Sequence, residues 1–311
     1  MNDVVIIHHA GCSDGICAAA VIMDYFTEMG AKDIQCIPAQ YGDDIPSVTE
    51  FVNKHVFIVD FSYERDLLVD INSAAASLIV LDHHASAEEN CAGLPFAFFD
   101  VERCGAEMAW DFCTQMYDRQ WDWEHGIDET DVNHVHHDSV RGYPAIVAYV
   151  ADRDLWSWKL NYSRQVSAYL ESFPRNVVWW AECIKTFTYD SPGMQRAIAE
   201  GEAIERFKAG KVANIGSKAI DCKFSNVLYE KLRVKAVNSC DFQSEIGEYL
   251  LNQDDCDVAV VWFMPGNQAG VVHSVRTRGL ISAKEIAVSY GGGGHHNAAG
   301  FKTSNIEVIV K

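Results

Sequence analysis

Ile79-Val-Leu-Asp82-His83-His84 is a short apolar run that stops on one carboxylate and two imidazoles. An apolar run of this length, bounded by polar residues, predicts a buried strand whose carboxyl end delivers side chains to a crevice, where a metal could sit. Two earlier runs end in the same way: Val4-Val-Ile-Ile7 leads into His8-His9, and Val56-Phe-Ile-Val59 into Asp60. Between Asp60 and Asp82 there is room for a helix and a turn, so the two strands are predicted to be parallel and joined by a right-handed crossover. Parallel neighbours end on one edge, which would bring His9, Asp60 and His83 together although they lie far apart in sequence.

The bulk properties suit this plan. A chain of 311 residues, 49% hydrophobic and 22% charged, has ample core and a length that favours two domains. The start, Met1-Asn-Asp-Val, lacks the basic region and apolar run of a signal peptide, and no stretch approaches the ~20 apolar residues of a membrane span. The expectation is a cytoplasmic protein with no membrane partner. Its ten cysteines are scattered without a paired framework, which suits reduced thiols. A formal net charge of −19 argues against stable binding of a long duplex, because such binding relies on many Lys and Arg contacts to phosphates. A polyanionic substrate would need local charge inversion by metal ions and a few arginines.

Along the chain, strand 4 to 7 is followed by the polar turn His9-Ala-Gly-Cys12-Ser-Asp14-Gly15 and an Ala-rich helix that stops near Gly30. Asp14 alone reads as a helix cap, but His9, Cys12 and Asp14 together point to a site. Further strands are predicted at 34 to 39, 55 to 60, 77 to 82 and 95 to 100, alternating with helical or polar connections, the mark of a doubly wound parallel sheet. Arg103 sits at the mouth of the next helix, where a cation can face an anion or simply be solvated. Residues 117 to 143, with Trp121, Trp123, His125, His134, His136 and His137, read as an irregular insertion or lid, and the histidines as a solvated loop. Ala145 to Ala151 is apolar and ends on Asp152-Arg-Asp154, for which a helix-terminal salt bridge and surface exposure are the plain alternatives. The stretch 186 to 215 reads as a helical connection. Beyond it are strands near 232 to 237, 257 to 263 and 269 to 276, a turn at Pro265-Gly266-Asn267, a helix at 282 to 290 and a last strand at 305 to 310. Before that strand, Gly291-Gly-Gly-Gly294-His295-His296-Asn297-Ala-Ala-Gly300 allows backbone N–H groups to approach an anion closely.

Five motifs, His9-Ala-Gly-Cys12-Ser-Asp14-Gly15, Val59-Asp60-Phe-Ser, Asp82-His83-His84, Asp152-Arg-Asp154 and Gly292-Gly-Gly-His295-His-Asn-Ala-Ala-Gly300, occur in an order that resembles the DHH phosphoesterase family, the last of them its associated C-terminal substrate-binding domain. The resemblance implies an α/β fold: an N-terminal doubly wound, mainly parallel sheet domain at 1–185, a helical linker at 186–215 and a smaller α/β domain at 216–311, with the active site in the cleft between them. It also implies two divalent ions, usually Mn2+, with Mg2+, Zn2+ or Fe2+ as alternatives. One would be held by His9, Cys12 and Asp60, the other by Asp14, Asp60, His83 and Asp152, with Asp60 bridging. His84 would face the scissile phosphate and Asp82 orient the histidines. Gly292, Gly293, Gly294 and His295 would clasp a substrate phosphate, with Arg276 as a second anchor and Arg103 at the helix mouth. Cys12 departs from the commoner Asp of the first motif, although Cys recurs there in similar bacterial sequences, and a thiolate favours softer ions than Mn2+.

Carboxylates and imidazoles suit two hard cations that activate water for in-line attack and neutralise charge on the phosphoryl oxygens. The expected function is a metal-dependent phosphodiesterase or exonuclease that trims short oligonucleotides to mononucleotides. The alternatives are a polyphosphate or pyrophosphate hydrolase, a cyclic dinucleotide phosphodiesterase, and a non-catalytic nucleotide-binding regulator. A homodimer is left open.

Overall fold

The computed structural model describes residues 3–40, 43, 46–85, 87–124, 142–229, 231–266, 270–305 and 309–310, with the backbone alone for 116–124, 227 and 309–310. The chain divides into two compact units, Met1–Ile204 and Glu205–Lys311. In the first unit β1 (Val4–His9), β2 (Ile34–Ala39), β3 (His55–Val59), β4 (Ser77–Asp82) and β5 (Ala97–Phe99) form a five-stranded sheet in the order β2-β1-β3-β4-β5. Every pairing in it is parallel, as the continuous apolar runs require of strands covered on both faces.

Strand alternation assigns the faces. Val4, Ile6, Phe57, Val59 and Leu81 pack into one core with α1 (Ser13–Glu28), α4 (Gly105–Glu124), α5 (Ala145–Asp154), α6 (Ser163–Glu171) and α7 (Val177–Thr186). Val5, Ile7, Val56, Ile58, Leu78 and Val80 pack into a second core on the other face, with Leu68 and Ile71 of α2 (Arg65–Ala74) and Cys91 of the short α3 (Glu88–Cys91). A one-residue slip in any strand would exchange these faces, so the register that aligns the strand ends is strongly held.

β1 runs through His9, because His8 and His9 continue the pairing with Pro38 and Ala39. Cys12, rather than Asp14, caps α1: its Sγ accepts from Gly15 N at 3.2 Å. α4 continues to Glu124, so the expected irregular segment at 117 to 143 begins as helix. Its remainder, 125–141, with His125, His134, His136 and His137, lies outside the described residues, as does Asn267 of the expected turn.

α8 (Pro192–Gly216) is a single helix across the boundary between the units. In the second unit β6 (Ile220–Phe224), β7 (Val234–Asn238), β8 (Val258–Phe263), β9 (Val271–Thr277), β10 (Gly293–Gly294), β11 (Ala298–Thr303) and β12 (Ile309–Val310) form a mixed sheet in the order β10-β11-β9-β8-β7-β6-β12. It carries α9 (Gln243–Leu251) and α10 (Ala283–Val288). The glycine run, expected to let backbone N–H groups approach an anion, contributes one strand of a hairpin: Gly293 pairs with Gly300 and Gly294 with Ala299. A Cβ on Gly292 would come within 2.1 Å of the Gly300 carbonyl oxygen, so glycine there serves backbone packing against β11. No helix among the described residues is long and apolar enough to cross a membrane.

Candidate metal centre

The three strand ends meet as the register demands. Asp60 follows β3 with φ of 53°, a left-handed conformation that few residues other than Gly, Asn and Asp tolerate, and its N–H donates to the Leu81 carbonyl at 2.8 Å. The buried carboxylate reaches both neighbours from there. Its Oδ2 is 3.5 Å from His9 Nδ1, and its Oδ1 is 3.1 Å from His83 Nε2 and 3.6 Å from His84 Nδ1.

Among the described residues, two groups of side chains stand close enough to hold an ion: His9, Asp60 and His84, and Asp14, His83 and Asp154. Asp60 and His83 link them through the 3.1 Å contact. Asp14 is fixed by α4, since Gly105 N and Ala106 N donate to its two carboxylate oxygens at 2.6 and 2.8 Å. These are N–H groups of the first helical turn, which have no partner within the helix. Asp82 stands behind the centre, fully buried, and its Oδ1 accepts from His83 N at 2.8 Å, His84 N at 3.1 Å and the His84 ring at 2.8 Å. One carboxylate oxygen thus holds both the backbone of the Asp-His-His turn and the ring of its last residue.

Asp154 stands where Asp152 was expected. His83 Nε2 is 3.6 Å from Asp154 Oδ2, whereas the Asp152 carboxylate accepts from Lys159 N at 2.8 Å and Leu160 N at 3.2 Å. Asp152 therefore closes the loop after α5, and two residues further along the helix the next carboxylate faces the histidine. Cys12 lies beside the first group, its Sγ donating to Asp60 Oδ2 at 2.9 Å and lying 3.6 Å from His9 Nδ1.

Arg103 is committed elsewhere, to Asp111 at 2.5 Å and to the Tyr143 hydroxyl at 3.3 Å. Arg276, in the second unit, donates to Ser244 Oγ at 2.8 Å and to the Val275 carbonyl at 3.0 Å. His295 forms the tip of the β10–β11 hairpin, where its N–H donates to the Ala298 carbonyl at 2.8 Å.

Electrostatics explain why such a centre wants a cation. Burial, then the charges of Asp60 and Asp154, push the Asp14 carboxyl well above its usual range, and burial followed by the charge of Asp60 also raises Asp154. Burial would raise Asp60 as well, but hydrogen bonds with His83 and His9 and the nearby imidazole charges outweigh it and hold the carboxylate low. Burial opposes a charge on His83, yet its hydrogen bond to Asp60 and the charges of Asp14, Asp154 and Asp60 raise it to about 10. Three converging carboxylates balanced by imidazoles fit divalent ions that prefer oxygen and imidazole ligands.

This gives the metal-free protein a pH signature. A His83 pKa raised from 6.5 to about 10 contributes stability that is fully present below the lower value and lost as pH rises through the upper one. Urea unfolding midpoints in chelator are expected to fall between those two pH values, and His83→Gln is expected to flatten that slope; an identical slope in the variant would rule His83 out as its source.

Residues 3–132 match the model of the DHH family, N-terminal domain. The uncharacterized protein R106 of Acanthamoeba polyphaga mimivirus is 27% identical over 317 residues, covering 97% of this chain and 68% of that protein. An exopolyphosphatase-related protein from Bacteroides fragilis superposes with a TM-score of 0.49 at 14% identity, covering 97% of this chain and 87% of that one. A pGpG-specific phosphodiesterase from Vibrio cholerae gives a TM-score of 0.44 at 14% identity, with coverage of 96% and 92%. The stretch that matches this N-terminal domain of the DHH family, residues 3–132, holds every candidate ligand named above except Asp154.

Proposed function

We propose that the protein is a metal-dependent phosphodiesterase that trims short oligonucleotides to mononucleotides, with residues 1–185 as the catalytic domain, 186–215 as the connection and 216–311 as the substrate-binding domain. The observation that carries this reading is the pair of ligand groups linked through Asp60 and His83 at the ends of parallel strands. Divalent ions bound there would supply Lewis-acid stabilisation of the phosphoryl oxygens and lower the pKa of water. The residues that would hold them are His9, Cys12 and Asp60 on one side and Asp14, His83 and Asp154 on the other. Asp82 holds the His84 ring. Burial opposes its charge, but that hydrogen bond and the charges of Asp60 and Asp82 raise the His84 pKa. His84 is therefore suited to give a proton to the departing oxygen as the phosphorus–oxygen bond breaks. Arg276, Gly292, Gly293, Gly294 and His295 are proposed to hold a substrate phosphate, so His295→Ala should raise KM several-fold with little change in kcat; an unchanged KM on every substrate would remove that role.

Turnover with Mn2+ across short RNA, short DNA, cyclic dinucleotides and polyphosphate tests the reading. Cleavage of short RNA or DNA supports it, polyphosphate alone would move the assignment to a phosphoanhydride hydrolase, and no turnover of any would leave a nucleotide-binding regulator.

Cys12 tests the ligand set. Burial and the Asp60 charge push its thiol well above the usual range, so it stays neutral until an ion displaces the proton. Cys12→Ala is expected to raise the Mn2+ concentration for half-maximal activity by about tenfold, whereas Cys12→Asp retains it and loses sensitivity to peroxide. Equal values for wild type and Cys12→Ala would show that the thiol is no ligand. Asp154→Asn should weaken Mn2+ binding, read by the loss of free-ion resonance signal. Asp152→Asn should chiefly lower the unfolding midpoint, because its carboxylate serves two backbone N–H groups.

A further inference from the structure

The arginines that sequence motifs single out make hydrogen bonds within the fold, and one that no motif contains stands beside Gly11, in the turn between His9 and Cys12. Arg175 lies between α6 and α7, and α7 packs along α1, the helix that opens with Cys12 and Asp14. A Cβ built on Gly11 would lie 3.7 Å from Arg175 Nη1 and 3.5 Å from Gln40 Nε2. Gly11 has a φ of +97°, and the turn it occupies is held against the end of β2 by Ala10 N donating to the Ala39 carbonyl at 2.8 Å. A side-chain amide and a guanidinium therefore flank a residue that has no side chain of its own, one position from Cys12 and two from His9.

Arg175 is exposed, and no carboxylate among the described residues pairs with it. In a chain with 44 acidic and 25 basic residues, a guanidinium with no carboxylate partner among the described residues is conspicuous. An arginine fork beside an amide donor suits a phosphate, which accepts several hydrogen bonds at once. The location suits it too, because a polyanion approaching Asp14, Asp60 and Asp154 meets repulsion that a cation beside the adjoining turn offsets.

We propose that Gly11, Gln40 and Arg175 form a subsite for a phosphate group of the substrate adjacent to the one being cleaved. The assignment rests on the phosphodiesterase reading and adds a preference: a short substrate with a second phosphate next to the scissile one is bound more tightly than the same substrate without it. Gly11 supplies the space, Gln40 one donor and Arg175 the charge.

The test has two arms on the full chain in Mg2+. In the first, inorganic phosphate is titrated while the Gly11 backbone amide and the Gln40 side-chain amide are followed by NMR. Wild type is expected to show saturable shifts at both, and Arg175→Gln to weaken the affinity at least about fivefold, with Arg175→Lys recovering part of it. In the second, KM and kcat are measured for a dinucleotide with and without a 5′-phosphate. Arg175→Gln is expected to raise KM about tenfold for the phosphorylated form alone, at unchanged kcat. Absence of phosphate-dependent shifts in wild type, or an equal KM change on both dinucleotides, overturns the subsite. Saturable shifts lost in Arg175→Gln, with neither dinucleotide cleaved by wild type, uphold the subsite and overturn the phosphodiesterase reading instead.

Discussion

Asp60→Asn is expected to lower turnover by at least about 10³-fold, about 4 kcal/mol of transition-state stabilisation, while leaving the fold intact. Among the described residues, Asp60 is the one carboxylate within reach of His9, His83 and His84 together, so its loss weakens both ligand groups at once. Asparagine is the informative replacement because it tolerates the left-handed backbone at φ 53°; alanine there would add strain of about 1–2 kcal/mol. The measurement is turnover with saturating Mn2+ alongside Mn2+ stoichiometry by magnetic resonance and the far-UV circular dichroism spectrum. Near-wild-type activity in a folded Asp60→Asn protein would end the two-ion assignment.

Gly105→Ala is expected to cost activity about a hundredfold through packing alone, without touching a ligand's chemistry. A Cβ at that position would lie 2.7 Å from Asp60 Cβ, 2.9 Å from Asp14 Oδ2 and 3.1 Å from Asp60 Cα. None of these atoms can yield cheaply, because Asp60 is pinned by its own N–H to Leu81 and Asp14 is held by the first turn of α4. Displacing the helix start also moves the two N–H groups that orient Asp14. Destabilisation of about 1–3 kcal/mol should accompany the loss. Gly210→Ala is the control: it sits in α8 with nothing within 4 Å of the added methyl. A helix-interior gain of about 0.8–1 kcal/mol and unchanged turnover are expected there. Equal effects of the two substitutions on activity would show that the contact of Gly105 with Asp60 and Asp14 is irrelevant to the centre.

Where the chain carried a continuous apolar run, its sequence was enough. Val4 to Ile7, Val56 to Val59 and Ile79 to Leu81 predict buried parallel strands, and parallel strands in register end together, so the meeting of His9, Asp60 and His83 follows from pattern and topology alone. The motif order likewise pointed to the DHH family, whose N-terminal domain model residues 3–132 match.

Contacts between segments distant in the chain were a different matter. Asp152 and Asp154 lie in the same short polar stretch, and nothing local says which carboxylate is consumed by the backbone of residues 159 and 160 and which one faces His83. The glycines at 292 to 294 have the composition of an anion-binding segment, and only the partner strand Ala298–Thr303 shows that they lie in a hairpin. Arg103 is paired with Asp111, a partner that the sequence does not reveal, whereas Arg175, in no motif, is brought to Gly11 by the packing of α7 on α1. The sequence by itself determined the strands, their direction and the residue types at their ends, because burial periodicity and chain connectivity are local properties. Only the tertiary structure decided which polar groups remain available to a ligand, because a side chain's hydrogen-bond partners are set by whatever the fold brings within about 3 Å of it.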